Sequence, residues 1–282
     1  MATSTISGGP AAATHEQRSS RSLFSTGASF DRFVAFGDSA TDTGNVYALI
    51  KGAWPRSAYF KGRFSNGPTW IEYLVQLVGA RELRDFAYGG VTTDNALVQG
   101  WTGADASILG QVGIFCEREA KEKGRAHTRY GVGWEYVQVR IDPRRAARTP
   151  NHHVLVMGMV NCDHTPYFAA QPADVRTAFQ AVANAYNASL AAKLAQYKSA
   201  NPRRVTFVPT SHLVLAIFAD PEAFGFPRGT DGTPWLEVPG ADPDAHVSFD
   251  QFHVTTKVHA LFAHAAATAL AGAARGVEKS EF

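Results

Sequence analysis

Residues 33–45 read FVAFGDSATDTGN, an apolar run that stops at a glycine and continues into a polar loop. An apolar run from Phe33 to Phe36 that stops at Gly37 is typical of a buried strand ending in a turn. Ser39 therefore follows a strand directly, so its hydroxyl is held outward and its N–H can point into a cleft. By itself a Gly-Asp-Ser loop is most often just a turn, and the G-x-S-x-G pattern of a nucleophile elbow is absent from the sequence.

Further strands and helices alternate along the chain. Thr69 is suited to cap a helix that begins at Trp70, where apolar residues recur with helical spacing. The patterns predict strands at 85–90, 134–142, 153–158 and 205–208, and helices at 107–123, 172–200 and 256–274. Such alternation predicts an α/β fold, in which a parallel sheet carries helices on both faces and the ligand site lies at the carboxyl ends of the strands.

Composition narrows the class of protein. The chain has 282 residues, is 45% hydrophobic and 18% charged, and carries a formal net charge of +2, which is too small to indicate a nucleic acid as partner. Residues 1–30 are polar and Ser-rich, which predicts a disordered segment before one domain at 31–276. That segment lacks the apolar core of a secretory signal, and no apolar run approaches the ~20 residues of a spanning helix. We therefore expect no stable membrane insertion. The sequence as written favours an intracellular location, but the compartment and the oligomeric state stay open.

Metal and cofactor chemistry has little support in the sequence. The two cysteines, Cys116 and Cys162, allow at most one disulfide and exclude a four-cysteine zinc site. His253, His259 and His264 are six and five residues apart, which is not the i, i+4 spacing of helical metal ligands. We expect neither a metal nor a cofactor.

A second loop, at residues 248–255, reads SFDQFHVT. Asp250 and His253 are three positions apart, so within one turn the carboxylate can accept from one ring nitrogen and leave the other free as a base. A lone pair of this kind is most often a helix cap beside a surface histidine. Because a nucleophilic serine needs such a base, Ser39, His253 and Asp250 form a candidate triad.

Two residues that follow predicted strands are candidate donors to an oxyanion. Gly90 closes the strand predicted at 85–90, where a missing side chain lets a backbone N–H approach a substrate. Asn161 follows the strand predicted at 153–158 with an amide that can donate. Such a donor typically contributes about 3 kcal/mol of transition-state stabilisation. Taken singly, a glycine in this position most often marks a tight turn, and an asparagine most often forms an Asx-turn.

Two groups of residues have alternative interpretations. The aromatic residues Trp54, Tyr59, Phe60 and Trp70 either belong to the core or line a pocket for an acyl or sugar group. Asn187 begins the glycosylation sequence Asn-Ala-Ser, but it lies inside a predicted helix, so we expect it to be unmodified.

In this order, the sequence blocks resemble those of the SGNH hydrolase family, also called GDSL. The first block is FVAFGDSATDTGN and the last is FDQFHVTTKVH at 249–259, while RFSNGPTWIEYL at 63–74 and DFAYGGVTTDNA at 85–96 are similar to segments of the acetylesterase and thermolabile-haemolysin-like branch. One block departs from the family pattern Gly-x-Asn-Asp, because residues 158–163 read GMVNCD and place Asn161 one position late. Either this loop bulges by a residue or the amide is displaced.

The resemblance implies a three-layer α/β/α, flavodoxin-like fold with a central parallel sheet of about five strands. It also implies metal-free ester hydrolysis through an acyl-enzyme, with Ser39 as nucleophile, His253 as base and Asp250 as its partner. Ser39, Gly90 and Asn161 would then form the oxyanion hole. We expect a serine hydrolase that acts on esters with short acyl chains, in particular acetyl esters such as those of carbohydrates. The alternatives are a lipase, phospholipase or acyltransferase with the same triad, and an inactive protein that binds an acylated sugar.

Overall fold

The computed structural model describes residues 32–102, 107–121, 128–132, 153–160, 164–200, 205–229 and 232–275. The strands in these ranges are β1 (Arg32–Phe36), β2 (Glu82–Asp85), β3 (Thr128–Val132), β4 (Val154–Met157) and β5 (Val205–Val208). The helices are α1 (Asn45–Leu49), α2 (Trp70–Leu77), α3 (Ile108–Lys121), α4 (Pro166–Ala169), α5 (Ala173–Ala200), α6 (Thr210–Ala219) and α7 (Thr256–Arg275). The segment predicted to be disordered, residues 1–30, and the strand predicted at 134–142 lie outside the described residues.

The strands form one sheet in the order β2-β1-β3-β4-β5, and every neighbouring pair is parallel. β1 therefore lies inside the sheet, with Arg32 aligned to Glu82 of β2 on one side and to Thr128 of β3 on the other. The predicted mixed α/β fold with parallel strands is confirmed. Since all the strands run in one direction, the loops that follow them emerge at the same edge of the sheet.

Helices cover both faces of the sheet. Phe33 of β1 packs in the same cluster as Leu74 of α2 and Phe262 of α7, whereas the next residue, Val34, packs with Phe115 of α3. This alternation follows from the strand geometry, in which successive side chains point to opposite faces. None of the helices in the described ranges is both long and apolar enough to cross a membrane.

The helix predictions agree closely with the structure, whereas one strand prediction is wrong. The helices expected at 107–123, 172–200 and 256–274 are α3, α5 and α7. The strand expected at 85–90 lies earlier, at Glu82–Asp85, because β2 is an edge strand of half-buried residues and has no apolar run to mark it. The apolar residues that suggested the later position follow β2 in an extended segment, where the Phe86 N–H donates to the Ala35 carbonyl at 2.8 Å.

Candidate active site

Three side chains from the two ends of the described chain form one continuous hydrogen-bonded row. Nε2 of His253 lies 2.9 Å from Oγ of Ser39, and Nδ1 of the same ring lies 2.8 Å from Oδ2 of Asp250. Burial raises the pKa of Asp250, but the hydrogen bond and charge of His253 outweigh it and lower the pKa to about 2. The carboxylate is therefore ionised at neutral pH and accepts from Nδ1–H. In the neutral form of the imidazole, Nε2 is then the acceptor for the Ser39 hydroxyl.

Local backbone geometry holds the acidic end of this row. Oδ1 of Asp250 accepts from the N–H groups of Phe252 and His253 at 2.8 and 2.7 Å. The His253 carbonyl in turn accepts from the Phe249 N–H at 2.8 Å, and a bridge between Ser248 and Val254 closes the loop. The spacing of three between Asp and His is thus the spacing of a tight loop just before α7.

Ser39 is held by the turn that ends β1. The buried Asp38 accepts from the Ala40 N–H through its side chain, and its carbonyl accepts from the N–H groups of Thr41 and Asp42. These bonds bend the chain sharply at Ser39, which is partly exposed. Within the described residues the Ser39 N–H donates no hydrogen bond.

Gly90, the second predicted oxyanion donor, lies in the loop after β2. Its φ of 74° is in the left-handed region that favours glycine. A Cβ added there would lie 1.4 Å from Nε1 of Trp101, so a side chain does not fit. Within the part of the chain described, the Gly90 N–H also donates no hydrogen bond. These features fit the predicted need for a bare backbone donor.

Asn161, the third predicted donor, lies outside the described residues, but the segment that leads to it is firmly held. Asn187 of α5 clamps Met159, accepting from its N–H and donating to its carbonyl, both at 2.8 Å. Thr210 at the start of α6 donates to the Gly158 carbonyl at 2.7 Å. The amide of the glycosylation sequence, which lies in α5, is thus occupied by two hydrogen bonds to the backbone of Met159.

Tyr59 is a site residue whose role the sequence did not reveal. Its hydroxyl donates to Oδ2 of Asp250 at 2.9 Å, so it extends the row by one member. Trp70, another aromatic residue that could belong to the core or to a pocket, lies fully buried in the core and donates to Oγ1 of Thr41. The partners of Tyr59 are far away in sequence, so no local spacing points to this contact.

Two acidic side chains that were not predicted join the loop after β1 to the loop after β2. Oδ2 of the fully buried Asp42 accepts from the Gly89 N–H at 2.9 Å. Oδ2 of Asp85 accepts from both the N–H and the hydroxyl of Thr43 at 2.8 Å. Burial raises the pKa of Asp42, and desolvation together with the charge of Asp42 raises the pKa of Asp85 to about 8. Buried hydrogen bonds to Asp42 and Asp85 therefore hold the two loops together.

Exposed apolar side chains adjoin two of the site residues. Phe252, which directly precedes His253, is 50% exposed, and its ring lies 4.7 Å from that of Tyr167 between centroids. The indole of Trp101, which lies against Gly90, is 59% exposed. Apolar surface of this kind next to a reactive group suits a ligand with an apolar part.

Comparison with known proteins finds similar sequences, although no family model matches. The chain is 45% identical over 64 residues to the phosphatidylcholine-sterol acyltransferase of Aeromonas hydrophila, which covers 22% of this chain and 19% of that protein. It is 26% identical over 264 residues to the secreted effector protein SseJ of Salmonella typhimurium, covering 82% of this chain and 62% of that protein. It is 35% identical over 69 residues to the thermolabile hemolysin of Vibrio parahaemolyticus, covering 24% and 16%.

The chain spans less than two thirds of the length of each of these relatives. The relation to a hemolysin agrees with the branch that the sequence blocks suggested. None of the three names refers to a carbohydrate esterase, so the predicted carbohydrate acetylesterase branch has no support from them. The chain is thus similar to an acyltransferase, an effector protein and a hemolysin, over segments of different length.

Proposed function

We propose that this protein is a serine-dependent acyl hydrolase or acyltransferase of the SGNH (GDSL) type that acts on lipid esters. The observation that carries the proposal is the row from Ser39 through His253 to Asp250, with both ring nitrogens of the histidine engaged at 2.8 and 2.9 Å. The order of the strands, 2-1-3-4-5, is that of flavodoxin-like sheets and supports the same assignment.

In the first half of the reaction, the Ser39 oxygen attacks the acyl carbonyl while Nε2 of His253 takes the hydroxyl proton. The tetrahedral intermediate collapses, the bond between the acyl carbon and the leaving oxygen breaks, and His253 returns the proton to the departing alcohol. The acyl group is then esterified to Ser39. In the second half, water or an acceptor alcohol attacks this ester, gives its proton to His253, and releases the acid or a new ester as Ser39 regains its proton.

Asp250 serves both halves by holding the ring and stabilising the imidazolium. Its side chain is 12% exposed, so the carboxylate acts in a setting with little water to weaken its charge. The backbone N–H groups of Ser39 and Gly90, neither of which donates a hydrogen bond within the described residues, would donate to the oxyanion. The Asn161 amide is proposed as the third donor.

Lipid esters are preferred to carbohydrate acetates for two reasons. The Aeromonas relative is named for phosphatidylcholine and a sterol, and both the acyl donor and the acceptor in that name are lipids. The exposed Phe252 directly precedes His253 in the sequence, and the exposed indole of Trp101 lies against Gly90. An acyl chain or a sterol provides the apolar surface that such side chains bind. The proposed substrate is therefore a lipid ester. The short acetyl esters expected from the sequence serve only as test substrates in its place.

The test compares wild type with Ser39→Ala on phosphatidylcholine vesicles, with and without cholesterol, and on p-nitrophenyl esters from acetyl to palmitoyl. Wild type is expected to release fatty acid or form cholesteryl ester, and Ser39→Ala to lose on the order of 10⁵-fold or more in kcat. The control is Ser199→Ala, which removes an exposed hydroxyl bonded only within α5, and it should match wild type.

The outcomes separate the alternatives. Turnover of acetyl esters alone would return the assignment to a short-chain esterase. Binding of an acylated sugar without turnover of any ester would favour the inactive binding protein. Turnover that survives in Ser39→Ala would overturn the assigned nucleophile.

Asn161→Ala tests the third donor separately. If the amide binds the oxyanion, kcat should fall by about 10²–10³ with little change in KM. A kcat equal to that of wild type would show that the displaced block supplies no donor.

A further inference from the structure

The carboxylate of Asp250 is held on both oxygens by groups other than the histidine ring. Oδ1 accepts from two backbone N–H groups of its own loop, at 2.8 and 2.7 Å. Oδ2, the oxygen nearest Nδ1 of His253, accepts at 2.9 Å from the hydroxyl of Tyr59, a residue 191 positions away. Tyr59, although distant in sequence, thus donates a hydrogen bond to the same carboxylate oxygen that accepts from the imidazole of His253.

Tyr59 is well placed to hold this position because its ring is packed among other aromatic rings. The ring stands perpendicular to that of Phe249 at a centroid distance of 4.9 Å and also contacts Phe64 and Trp54 at 6.2 and 5.5 Å. Phe64 in turn lies 5.2 Å from the ring of His253. One loop therefore supplies both a packing surface for the histidine and a hydrogen-bond donor for its acidic partner.

The loop that carries Tyr59 is tied to the catalytic region by its own hydrogen bonds. The Phe60 N–H donates to the Ser65 carbonyl at 2.9 Å, and the Ser65 hydroxyl donates to the Val254 carbonyl at 3.0 Å, directly after the histidine. Hydrogen bonds therefore link the residue after Tyr59 to the residue after His253, by way of Ser65.

We propose that Tyr59 is a positioning residue for the triad, whose hydroxyl orients the Asp250 carboxylate towards His253 and withdraws part of its negative charge. The proposal rests on the proposed function, since it assigns Tyr59 a role in the same acyl transfer. Without the hydroxyl, the imidazole is the remaining partner of Oδ2 among the described residues. Oδ2 can then move while the loop N–H groups still hold Oδ1, and the ring can turn with it away from Ser39. A carboxylate with one donor fewer also stabilises the protonated imidazole more strongly.

Arg56 and Asp250 are the charged groups that act on the pKa of Tyr59, which desolvation raises most. Arg56 exerts a favourable charge on the phenolate form of Tyr59, and Asp250 opposes it. On the other side His259 is affected by the charge of His253. These groups are the same in wild type and in Tyr59→Phe. A difference between the two pH profiles therefore comes from loss of the hydroxyl.

The experiment compares Tyr59→Phe with Tyr73→Phe. The Tyr73 hydroxyl bonds Oγ1 of Thr256 at 2.8 Å across 183 positions, so the control loses a tyrosine hydroxyl bond of similar sequence separation outside the triad. We expect Tyr59→Phe to lower kcat about tenfold, the size of one hydrogen bond to a charged group. KM should stay within about twofold, because the hydroxyl touches no substrate. The acidic limb of the profile of kcat/KM against pH should move to higher pH, and Tyr73→Phe should show neither change.

A structural role alone predicts a different pattern. If Tyr59→Phe lowers the unfolding midpoint and kcat without moving the pH profile, the positioning role is overturned. It is equally overturned if kcat, KM and the profile all match wild type.

A readout without turnover separates this proposal from the proposed function. The proton on Nδ1 of His253 should give a downfield NMR resonance that shifts in Tyr59→Phe and not in Tyr73→Phe. If wild type turns over no ester, the proposed function fails, while the resonance still decides whether Tyr59 acts on the carboxylate. An unchanged resonance overturns the proposal.

Discussion

The carboxylate of Asp42 accepts a hydrogen bond from the backbone N–H of Gly89 at 2.9 Å, across 47 positions of sequence. The same carboxylate accepts from the N–H groups of Gly44, Asn45 and Val46 at the start of α1. One buried side chain therefore joins the helix that follows the Ser39 loop to the residue before Gly90. The relative position of the proposed nucleophile and the proposed backbone donor depends on it.

Asp42→Asn should lower both stability and kcat. The amide has one oxygen where the carboxylate has two, so its NH₂ group faces N–H donors and leaves at least one of them unpaired. An unsatisfied buried donor costs about 1–3 kcal/mol, measured here as the loss in free energy of unfolding by urea. The matched control is Asp242→Asn, since Asp242 is exposed and accepts one backbone N–H at 3.0 Å. Equal unfolding free energies for wild type and Asp42→Asn would contradict the prediction.

Asp85 should make the protein less stable as the pH rises. Its pKa is raised from the ordinary 3.8 to about 8, first by desolvation and then by the charge of Asp42. Between these values the folded state binds more protons than the unfolded state, so the free energy of unfolding falls as pH increases through this window. The slope is at most about 1.4 kcal/mol per pH unit for one group. Asp85→Asn, followed by urea unfolding from pH 5 to 9, should give a shallower slope, and an unchanged slope would refute the assignment.

His259 should act in the opposite direction, at acid pH. It is 1% exposed, and its Nδ1 has no hydrogen-bond partner among the described residues. Burial, followed by the charge of His253, lowers its pKa from 6.5 to about 3. Between these values the unfolded state binds the extra proton, so stability is complete above about pH 6.5 and is lost as the pH falls towards 3.

His259→Leu should remove this acid sensitivity at little cost, because it removes the buried Nδ1, which has no hydrogen bond to lose among the described residues. The measurement is the slope of the unfolding free energy between pH 6.5 and 4, which should be smaller in the variant. His264→Leu makes the same replacement at an exposed position of the same helix and serves as the control. If both variants keep the wild-type slope, His259 does not carry the effect.

The parts of the fold that could be predicted from sequence are those with a clear local pattern. β1 and β4 are fully buried apolar runs, and α7 follows a regular apolar period. β2 was misplaced because its four residues are all half-buried at the edge of the sheet. β3 reads TRYGV, a run without alternation, and was not predicted at all.

The site residues likewise fall into those that could be predicted from sequence and those that could not. Ser39, Asp250 and His253 could be proposed because each lies beside a strand end or helix start and two of them are close in sequence. Tyr59 and Asp42 could not, since their partners are 191 and 47 positions away and their contacts exist only in the folded chain. The role of such a polar residue becomes visible only once its hydrogen-bond partners are known. Sequence spacing does not reveal partners that are this many positions away.

Asn187 offers a further test, since it should be needed both for stability and for the geometry of the segment that leads to Asn161. Its amide accepts from the Met159 N–H and donates to the Met159 carbonyl. Asn187→Asp replaces the donor with an oxygen that faces a carbonyl, so one bond is lost and a repulsion is added. We expect a loss of about 1–3 kcal/mol in the free energy of unfolding, with a lower kcat because the predicted oxyanion donor is two residues beyond the clamp. Asn184→Asp makes the same change one turn earlier on the exposed face of α5 and should leave both quantities unchanged. If Asn187→Asp lowers stability but not kcat, the clamp supports the fold without positioning the donor.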